Sequence, residues 1–216
     1  MADKSILVDA FTRMARFDSS GAKTELMVEA SKHSLEEWKN LNRAKTGGAG
    51  FATGVLGGPW ALAAEGADLA YLLRTAARAA IGVGHVLGEE VEHEEDMYAI
   101  LAIWSGAAEA SQHVVAGKFV VKVGGKVGMQ YAAATTATIL AKSALKGNSK
   151  LAVKITSKAA AKLGAKLAAK VSTKWIPVFG GVASAAVNLW VMNGILDAAY
   201  GRYTNPYIIF DEDPES

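Results

Sequence analysis

The chain has 216 residues, of which 51% are hydrophobic, and it contains no cysteine. This length and apolar content suit a single domain with a sizeable core. The lack of cysteine excludes disulfides, thiolate nucleophiles and cysteine-ligated metal centres, and it fits a cytoplasmic protein. Alanine is abundant and only four residues are proline, which favours helix. We therefore predict an all-α fold, a single compact domain of about seven helices.

The net charge of +2 conceals three blocks of different sign. Residues 1–109 contain sixteen acids and ten Lys or Arg, a balance of −6. Residues 110–196 contain twelve lysines and no acid, a balance of +12. Residues 197–216 contain five acids and one arginine, a balance of −4. Such segregation predicts that the middle block meets negative charge, either the protein's own acidic ends or an external partner.

Apolar residues recur three and four positions apart near the N-terminus, which predicts helices over residues 5–17 and 23–41. No apolar run of signal-peptide length follows a basic start, so we predict no secretion signal. The glycines of residues 46–59 permit either close backbone packing or positive φ. Pro59 suits the first turn of the next helix, which we predict over residues 60–87. Charged residues punctuate that helix, so we predict it to be amphipathic rather than membrane-spanning.

An acidic run at residues 89–96 suits the start of the following helix, because acids complement the helix dipole there. Glycines predict a bent or broken helix over residues 116–128. Pro177 with Gly180 and Gly181 predicts a turn before the last helix. The remaining predicted helices lie at 93–110, 129–145, 149–173 and 182–200. We expect the helices at 60–87, 93–110, 129–146 and 182–200 to form the core, and residues 204–216 to be an acidic tail.

Lysine occurs at every fourth position from residue 142 to residue 174. Because an α-helix has 3.6 residues per turn, each four-residue step rotates the lysine by about 40°. The lysines between residues 150 and 162 therefore fan over about 120°, whereas by Lys174 the drift reaches about 240°. Either Gly164 bends the helix and resets the phase, or the lysines wind around the helix.

We predict that this lysine segment and the tryptophan after it bind a membrane or another anionic surface. The predicted residues are Lys150, Lys154, Lys158, Lys162, Lys166, Lys170, Lys174 and Trp175. Lysine heads with apolar neighbours suit anionic lipid. A solvated helix edge facing the protein's own acids explains the same charges, and so does binding to an acidic protein. Nucleic acid is disfavoured, because the segment has no arginine and no interleaved aromatic residues.

Residues 175–196 carry no charged side chain, and their length satisfies the criterion for a spanning helix. Proline and glycine interrupt the stretch, and two asparagines would be costly in lipid. We favour a buried central helix of a bundle. The alternative is a hairpin of residues 127–141 with 175–196 that inserts into a membrane.

Catalytic patterns are weak throughout. His85, Glu89 and His93 lie four residues apart, as metal ligands could. However, Gly88 separates His85 from the others, and a solvated helix start explains the acids equally well. We therefore expect no catalytic residues, no metal and no cofactor.

Two segments resemble the EcsC family. They read TGGAGFATGVLGGPWALAAEGADLAYLLRTAARAAIGVGHVLG (residues 46–88) and WIPVFGGVASAAVNLWVMNGILDAAYGRY (residues 175–203). We take the structural motif positions to be Gly54, Gly57, Gly58, Pro59, Pro177, Gly180, Gly181, Asn188 and Tyr200. The resemblance implies N-terminal helices over 1–45, an EcsC-like helical domain over 46–203, and a bacterial origin. It also implies a loose association with membranes, and it supplies no active site.

We predict a non-enzymatic, EcsC-like helical protein that associates with membranes or lipids through its lysine-rich amphipathic segment. It would be cytoplasmic or peripheral at the inner face of the cell membrane. A soluble adaptor for a partner protein, including one linked to membrane transport, is the alternative. An enzyme with unrecognised residues is a third interpretation, and the oligomeric state stays open.

Overall fold

The computed structural model describes residues 4–16, 23–55, 58–108, 125–146, 149–171 and 177–204. These residues form eight α-helices and no strand, which confirms the all-α prediction. The helices are α1 (Lys4–Ala15), α2 (Lys23–Ala30), α3 (Leu35–Val55), α4 (Gly58–Leu87), α5 (His93–Trp104), α6 (Gly125–Leu145), α7 (Ser149–Val171) and α8 (Pro177–Thr204). The predicted acidic tail beyond Thr204 and most of the predicted bent helix at 116–128 lie outside the described residues.

A reciprocal side-chain cap separates α2 from α3, so the single helix predicted over residues 23–41 is wrong. The backbone N–H and the hydroxyl of Ser34 both donate to Glu37 Oε2 at 2.8 Å. In return, the backbone N–H of Glu37 donates to Ser34 Oγ at 3.3 Å. This Ser-x-x-Glu capping box satisfies donors that a helix start leaves open. The same hydrogen bonds lower the pKa of Glu37.

The glycine-rich segment is helical at each of its residues that the structure describes. Helix α3 runs through Gly47, Gly48 and Gly50, so the boundary predicted between residues 45 and 46 falls inside it. Among the described residues, positive φ occurs only at Gly88 (+75°) and Gly106 (+72°). Close packing accounts for Gly47 and Gly50, where an added Cβ would lie 3.3 Å from Leu189 and 2.5 Å from Asn188, whereas a Cβ on Gly48 would meet nothing within 4 Å.

Gly88 and Gly106 end helices α4 and α5. Helix α4 ends at Leu87 as predicted, and its first turn contains Pro59. Helix α5 begins at His93 but ends at Trp104, short of the predicted residue 110. The left-handed backbone of Gly106 explains the early end, since an L side chain rarely adopts that conformation.

Helix α8 begins at Pro177 and continues to Thr204. The turn predicted at Pro177, Gly180 and Gly181 is therefore wrong, because all three residues belong to the helix. Proline is favoured in the first helical turn, where its missing N–H costs no intrahelical hydrogen bond. The helix is longer than predicted at both ends.

The core is centred on α8 and draws on more helices than predicted. Helix α8 contacts α3, α4, α5, α6 and α7, and its contact with α3 is the most extensive. The core also contains fully buried side chains from helices that the sequence-based set omitted, namely Phe11 in α1, Leu26 in α2, Trp38 in α3, and Ile155 and Leu163 in α7. Each omitted helix is amphipathic and buries its apolar stripe.

One helical stretch among the described residues, Val182–Thr204, is long and apolar enough to cross a membrane by length and composition. Buried positions make up 44% of its apolar window. Val191, Met192, Ile195 and Leu196 have no exposed surface, because the surrounding helices cover them. Core packing therefore accounts for much of the apolar character of this helix.

The indole of Trp38 occupies a space that only glycine leaves open in α4. A Cβ on Gly82 would lie 2.2 Å from Cζ2 of Trp38, inside van der Waals contact. The indole Nε1 also donates to the carbonyl of Ala79 at 2.9 Å. Trp38 therefore fixes how α3 crosses α4.

We expect Gly82→Ala to destabilise the protein by about 1–3 kcal/mol or more, because the methyl group displaces the indole. The control is Gly48→Ala in helix α3, where an added Cβ meets nothing within 4 Å. That change should stabilise by about 0.5–1 kcal/mol through helix propensity. Urea unfolding of both variants measures the difference, and equal effects would contradict the packing argument.

Candidate functional site

The lysine helix α7 is continuous through Gly164 and lies against α1, α5, α6 and α8. It buries Ile155, Ala159, Ala160 and Leu163. The lysines on its other sides fall into two groups that differ in what they contact. Lys150 and Lys154 form the outer group, whereas Lys158, Lys162 and Lys166 form the inner group. The side chain of Lys170, together with Lys174 and Trp175, lies outside the described residues.

The inner group covers the C-terminal end of helix α5. Lys158 Nζ donates to the carbonyl of Gly106 at 3.4 Å, and Lys162 Nζ donates to the carbonyl of Trp104. These carbonyls lie at the negative end of the α5 dipole, where a positive charge is stabilising. Two of the predicted anion-binding lysines thus contact backbone carbonyls of the protein itself.

The inner lysines also lie over two tryptophan rings. Lys162 Nζ is 5.1 Å from the centroid of Trp104 and 5.8 Å from that of Trp190. Lys166 Nζ is 5.1 Å from the Trp190 centroid. Such cation–π contacts are each worth about 0.5–2 kcal/mol, depending on solvation. The period of four therefore places successive lysines over one aromatic surface.

The tryptophans belong to an aromatic cluster that joins three helices. The Trp104 ring centroid lies 5.7 Å from that of Phe11 in α1 and 5.8 Å from that of Trp190 in α8. Gly194 leaves room for this arrangement, since a Cβ there would lie 2.5 Å from Trp104 Nε1. Sequence reasoning missed this cluster. The only signal in the sequence was that Trp104 comes two residues before Gly106, at the end of its helix.

We expect Lys162→Glu to destabilise the protein by about 1–2 kcal/mol, because it puts a negative charge beside the α5 carbonyls and removes the cation–π contacts. The matched control, Lys154→Glu, changes the charge equally at a lysine that is also exposed but lies away from the α5 carbonyls and the indole rings, and it should stay within about 0.5 kcal/mol of wild type. Chemical denaturation compares the two. Equal destabilisation would rule out a specific structural role for Lys162.

The second polar centre is a buried ion pair between α5 and α8. Arg202 Nη2 donates to Asp96 Oδ1 at 2.6 Å, and the two side chains are 3% and 1% exposed. Asp96 Oδ2 accepts from the Tyr203 hydroxyl at 3.1 Å and from the backbone N–H of Glu92 at 2.9 Å. The predicted acidic helix start thus contains one acid that is buried and paired.

Burial dominates the acid–base behaviour of this centre. It raises the pKa of the Asp96 carboxyl, although Arg202 and the hydrogen-bond donors act in the opposite direction. Burial and the neighbouring Asp96 charge raise the pKa of Tyr203 well above its usual value. Gly84 permits this packing, because a Cβ there would lie 2.7 Å from the Tyr203 ring. The arrangement ties the ends of α5 and α8 together and offers no nucleophile.

We expect Arg202→Met to destabilise the protein by about 3–5 kcal/mol, since it leaves the Asp96 carboxyl buried without its cation. Adding Asp96→Asn to that variant should restore part of the loss, because the amide keeps a hydrogen bond without a charge. Urea unfolding of wild type, single and double variants measures both effects. A single variant within about 1 kcal/mol of wild type would contradict a structural role for the pair.

The two histidines considered as metal ligands pack against each other. The rings of His85 and His93 lie edge to face with centroids 6.2 Å apart. Burial lowers the pKa of His85, and its Nε2 has no hydrogen-bond partner among the described atoms. Over the described part of the chain, no three His, Asp or Glu side chains are grouped so as to hold a metal ion.

Five of the nine structural motif positions lie on α8, which packs against α3. Asn188 is buried, and its Nδ2 donates to the carbonyl of Thr46 at 3.4 Å. A Cβ on Gly50 would lie 2.5 Å from the same Nδ2. Tyr200 is 42% exposed, with Lys39 Nζ 4.8 Å above its ring. The other positions are the α3 residue Gly54, the α4 residues Gly58 and Pro59, the α8 residues Pro177, Gly180 and Gly181, and Gly57, which lies outside the described residues.

No family model, curated protein or solved structure matches the chain. The resemblance to the EcsC family therefore stays a prediction from the two quoted segments.

Proposed function

We propose that this is a non-enzymatic, EcsC-like helical protein that attaches peripherally to anionic membrane surfaces. The observation that carries the proposal is a pattern repeated on helices α6 and α7. Each helix presents lysine, an exposed apolar residue and lysine at positions i, i+3 and i+4. We call these six residues the hairpin surface: Lys142, Leu145 and Lys146 of α6 and its end, and Lys150, Val153 and Lys154 of α7.

Helical geometry supports the grouping, since residues three and four apart share one face. Leu145 is 39% exposed and Val153 is 55% exposed, and both line the same cleft. Lys146, Lys150 and Lys154 are exposed beside them, and Lys142 lies 4.0 Å from Glu95. Apolar side chains between lysines suit the boundary between lipid head groups and acyl chains.

The charge balance supports an anionic partner. Residues 110–196 contain no acid that could neutralise these lysines within the segment. Each lysine near an anionic membrane contributes about 1 kcal/mol. Because the inner lysines are engaged with α5 and the tryptophans, the attraction would come mainly from the hairpin surface.

Peripheral attachment is favoured over insertion of the apolar helix α8. Insertion would expose the contacts that α8 makes with five neighbouring helices and its buried ion pair at Arg202. Binding through the hairpin surface requires no such rearrangement. A soluble adaptor remains the alternative function, and the experiment below separates the two.

The experiment is flotation of the full chain with anionic and neutral vesicles at low and high salt. We expect flotation with anionic vesicles only, and its loss at high salt, because salt screens exposed charges. The triple variant Lys146→Glu, Lys150→Glu, Lys154→Glu should reduce vesicle affinity at least about tenfold. Its control changes Lys32, Lys39 and Lys45, on and beside α3, to Glu and should float like wild type.

Flotation that survives high salt would replace the peripheral proposal with insertion of an apolar segment. An absence of flotation under every condition would overturn the membrane proposal and favour the adaptor. Equal losses in the two triple variants would show that total charge, and not the hairpin surface, governs attachment.

A further inference from the structure

A half-open cleft of about 300 Å³ lies where α1, α5, α6 and α7 meet. Its apolar wall consists of Leu145 and Val153 with the small side chains of Ala144 and Ala152. Thr12 lies on the α1 side, and Tyr98 of α5 also lines it. The cleft therefore opens beside the two exposed apolar residues of the hairpin surface.

The opposite wall of the cleft carries an exposed ion pair. Arg16 Nε lies 3.8 Å from Glu94 Oε1, and the two side chains are 67% and 46% exposed. An exposed pair at this distance is worth less than about 1 kcal/mol, so Arg16 can exchange Glu94 for another anion. The cleft thus combines an apolar wall with an available cation.

We propose that this cleft binds one alkyl chain of an anionic membrane lipid, whose head group contacts Arg16 and the hairpin-surface lysines. The inference rests on the proposed function and deepens it by naming the ligand class. The chain would lie along Leu145 and Val153 and remove both from water. The anionic head would lie among cations contributed by α6, by α7 and by the residue after α1.

Size and charge favour this occupant over a peptide. A helix with side chains is about 10–12 Å across, too wide for a 300 Å³ cleft, whereas an extended alkyl chain is slender. The volume lies at the lower end of the range of small-molecule sites. An acidic peptide could meet the lysines but would leave the apolar wall uncovered.

Calorimetric titration of the full chain with dodecyl phosphate, below its critical micelle concentration, tests the cleft directly. We expect one molecule bound per chain. Affinity should fall roughly tenfold for every two methylenes removed in decyl and octyl phosphate, because each methylene is buried. Inorganic phosphate, which has the head group without the chain, and dodecyl maltoside, which has the chain without the anionic head group, are the controls. Both should bind at least tenfold more weakly than dodecyl phosphate.

Single substitutions at the charged wall separate the roles of its two residues. Arg16→Gln should weaken dodecyl phosphate binding about tenfold. Glu94→Gln should tighten it severalfold, because it releases Arg16 and removes a repulsive charge.

The apolar wall is tested with the double variant Leu145→Gln, Val153→Gln, whose positions are exposed enough to tolerate polar side chains. That variant should lose the dependence on chain length.

The outcomes distinguish failure of the cleft from failure of the proposed function. If the protein floats with vesicles but does not bind dodecyl phosphate, or binds alkyl phosphates with an affinity independent of chain length, the proposed lipid site in the cleft is wrong. Membrane attachment would then still stand. Dodecyl phosphate binding without flotation would overturn membrane attachment and point to a free single-chain amphiphile as the ligand. Weaker flotation of Arg16→Gln than of the charge-matched Arg13→Gln, whose side chain is 81% exposed outside the cleft lining, supports a lipid taken from the membrane, whereas equal flotation of the two variants overturns that source.

Discussion

Side chains packed directly onto glycine residues hold helix α8 at the centre of this bundle. Gly50 of α3 meets Asn188 of α8, Gly84 of α4 meets Tyr203, and Gly194 of α8 itself meets Trp104 of α5. At each position a Cβ would lie within 2.7 Å of the facing atom, so any side chain would push the helices apart. Helices α3, α4 and α5 can therefore surround α8 closely enough to bury Asn188 and Tyr203 of α8 and Trp104 of α5 at the interfaces between them.

The same packing divides the lysines of α7 between two tasks. Because α5 ends at Trp104 beside α7, the lysines at 158 and 162 lie next to its carbonyls, and Lys162 and Lys166 lie over the indole rings. Lys150 and Lys154, nearer the start of α7, are exposed beside the cleft that Glu94 and Tyr98 of α5 also line. The regular lysine repeat thus divides into a structural part, the inner group that contacts α5 and the tryptophans, and a solvent-facing part, the outer group. The solvent-facing part carries the proposed membrane attachment, and the cleft beside it carries the proposed lipid contact.

Helical periodicity made the fold class and most helices predictable. The start of α5, the end of α4 at Gly88 and the presence of Pro59 in the first turn of α4 follow from local chemistry, namely dipole, left-handed glycine and fixed φ. The break between α2 and α3 also had a local signal, the Ser34 and Glu37 capping box, which periodicity alone obscured. The Pro177 to Gly181 segment was wrongly predicted as a turn, whereas for the glycine-rich part of α3 the sequence left close packing and positive φ both open. In α3, contacts of Gly47 with Leu189 and of Gly50 with Asn188 offset the weak helix propensity of glycine.

The sequence by itself determined an all-α chain, its segregated charge, the fourfold lysine step and the apolar character of α8, because each depends on residue type and spacing along one helix. The tertiary structure alone decided which lysines of α7 contact the α5 carbonyls and the tryptophan rings and which do not. It also decided that Asp96 is paired with Arg202 across 106 residues, and that Leu145 and Val153 share a cleft with Arg16. These relations join residues on different helices. The distances between such residues depend on how closely the helices pack, and that packing depends on the side chains at each interface between two helices.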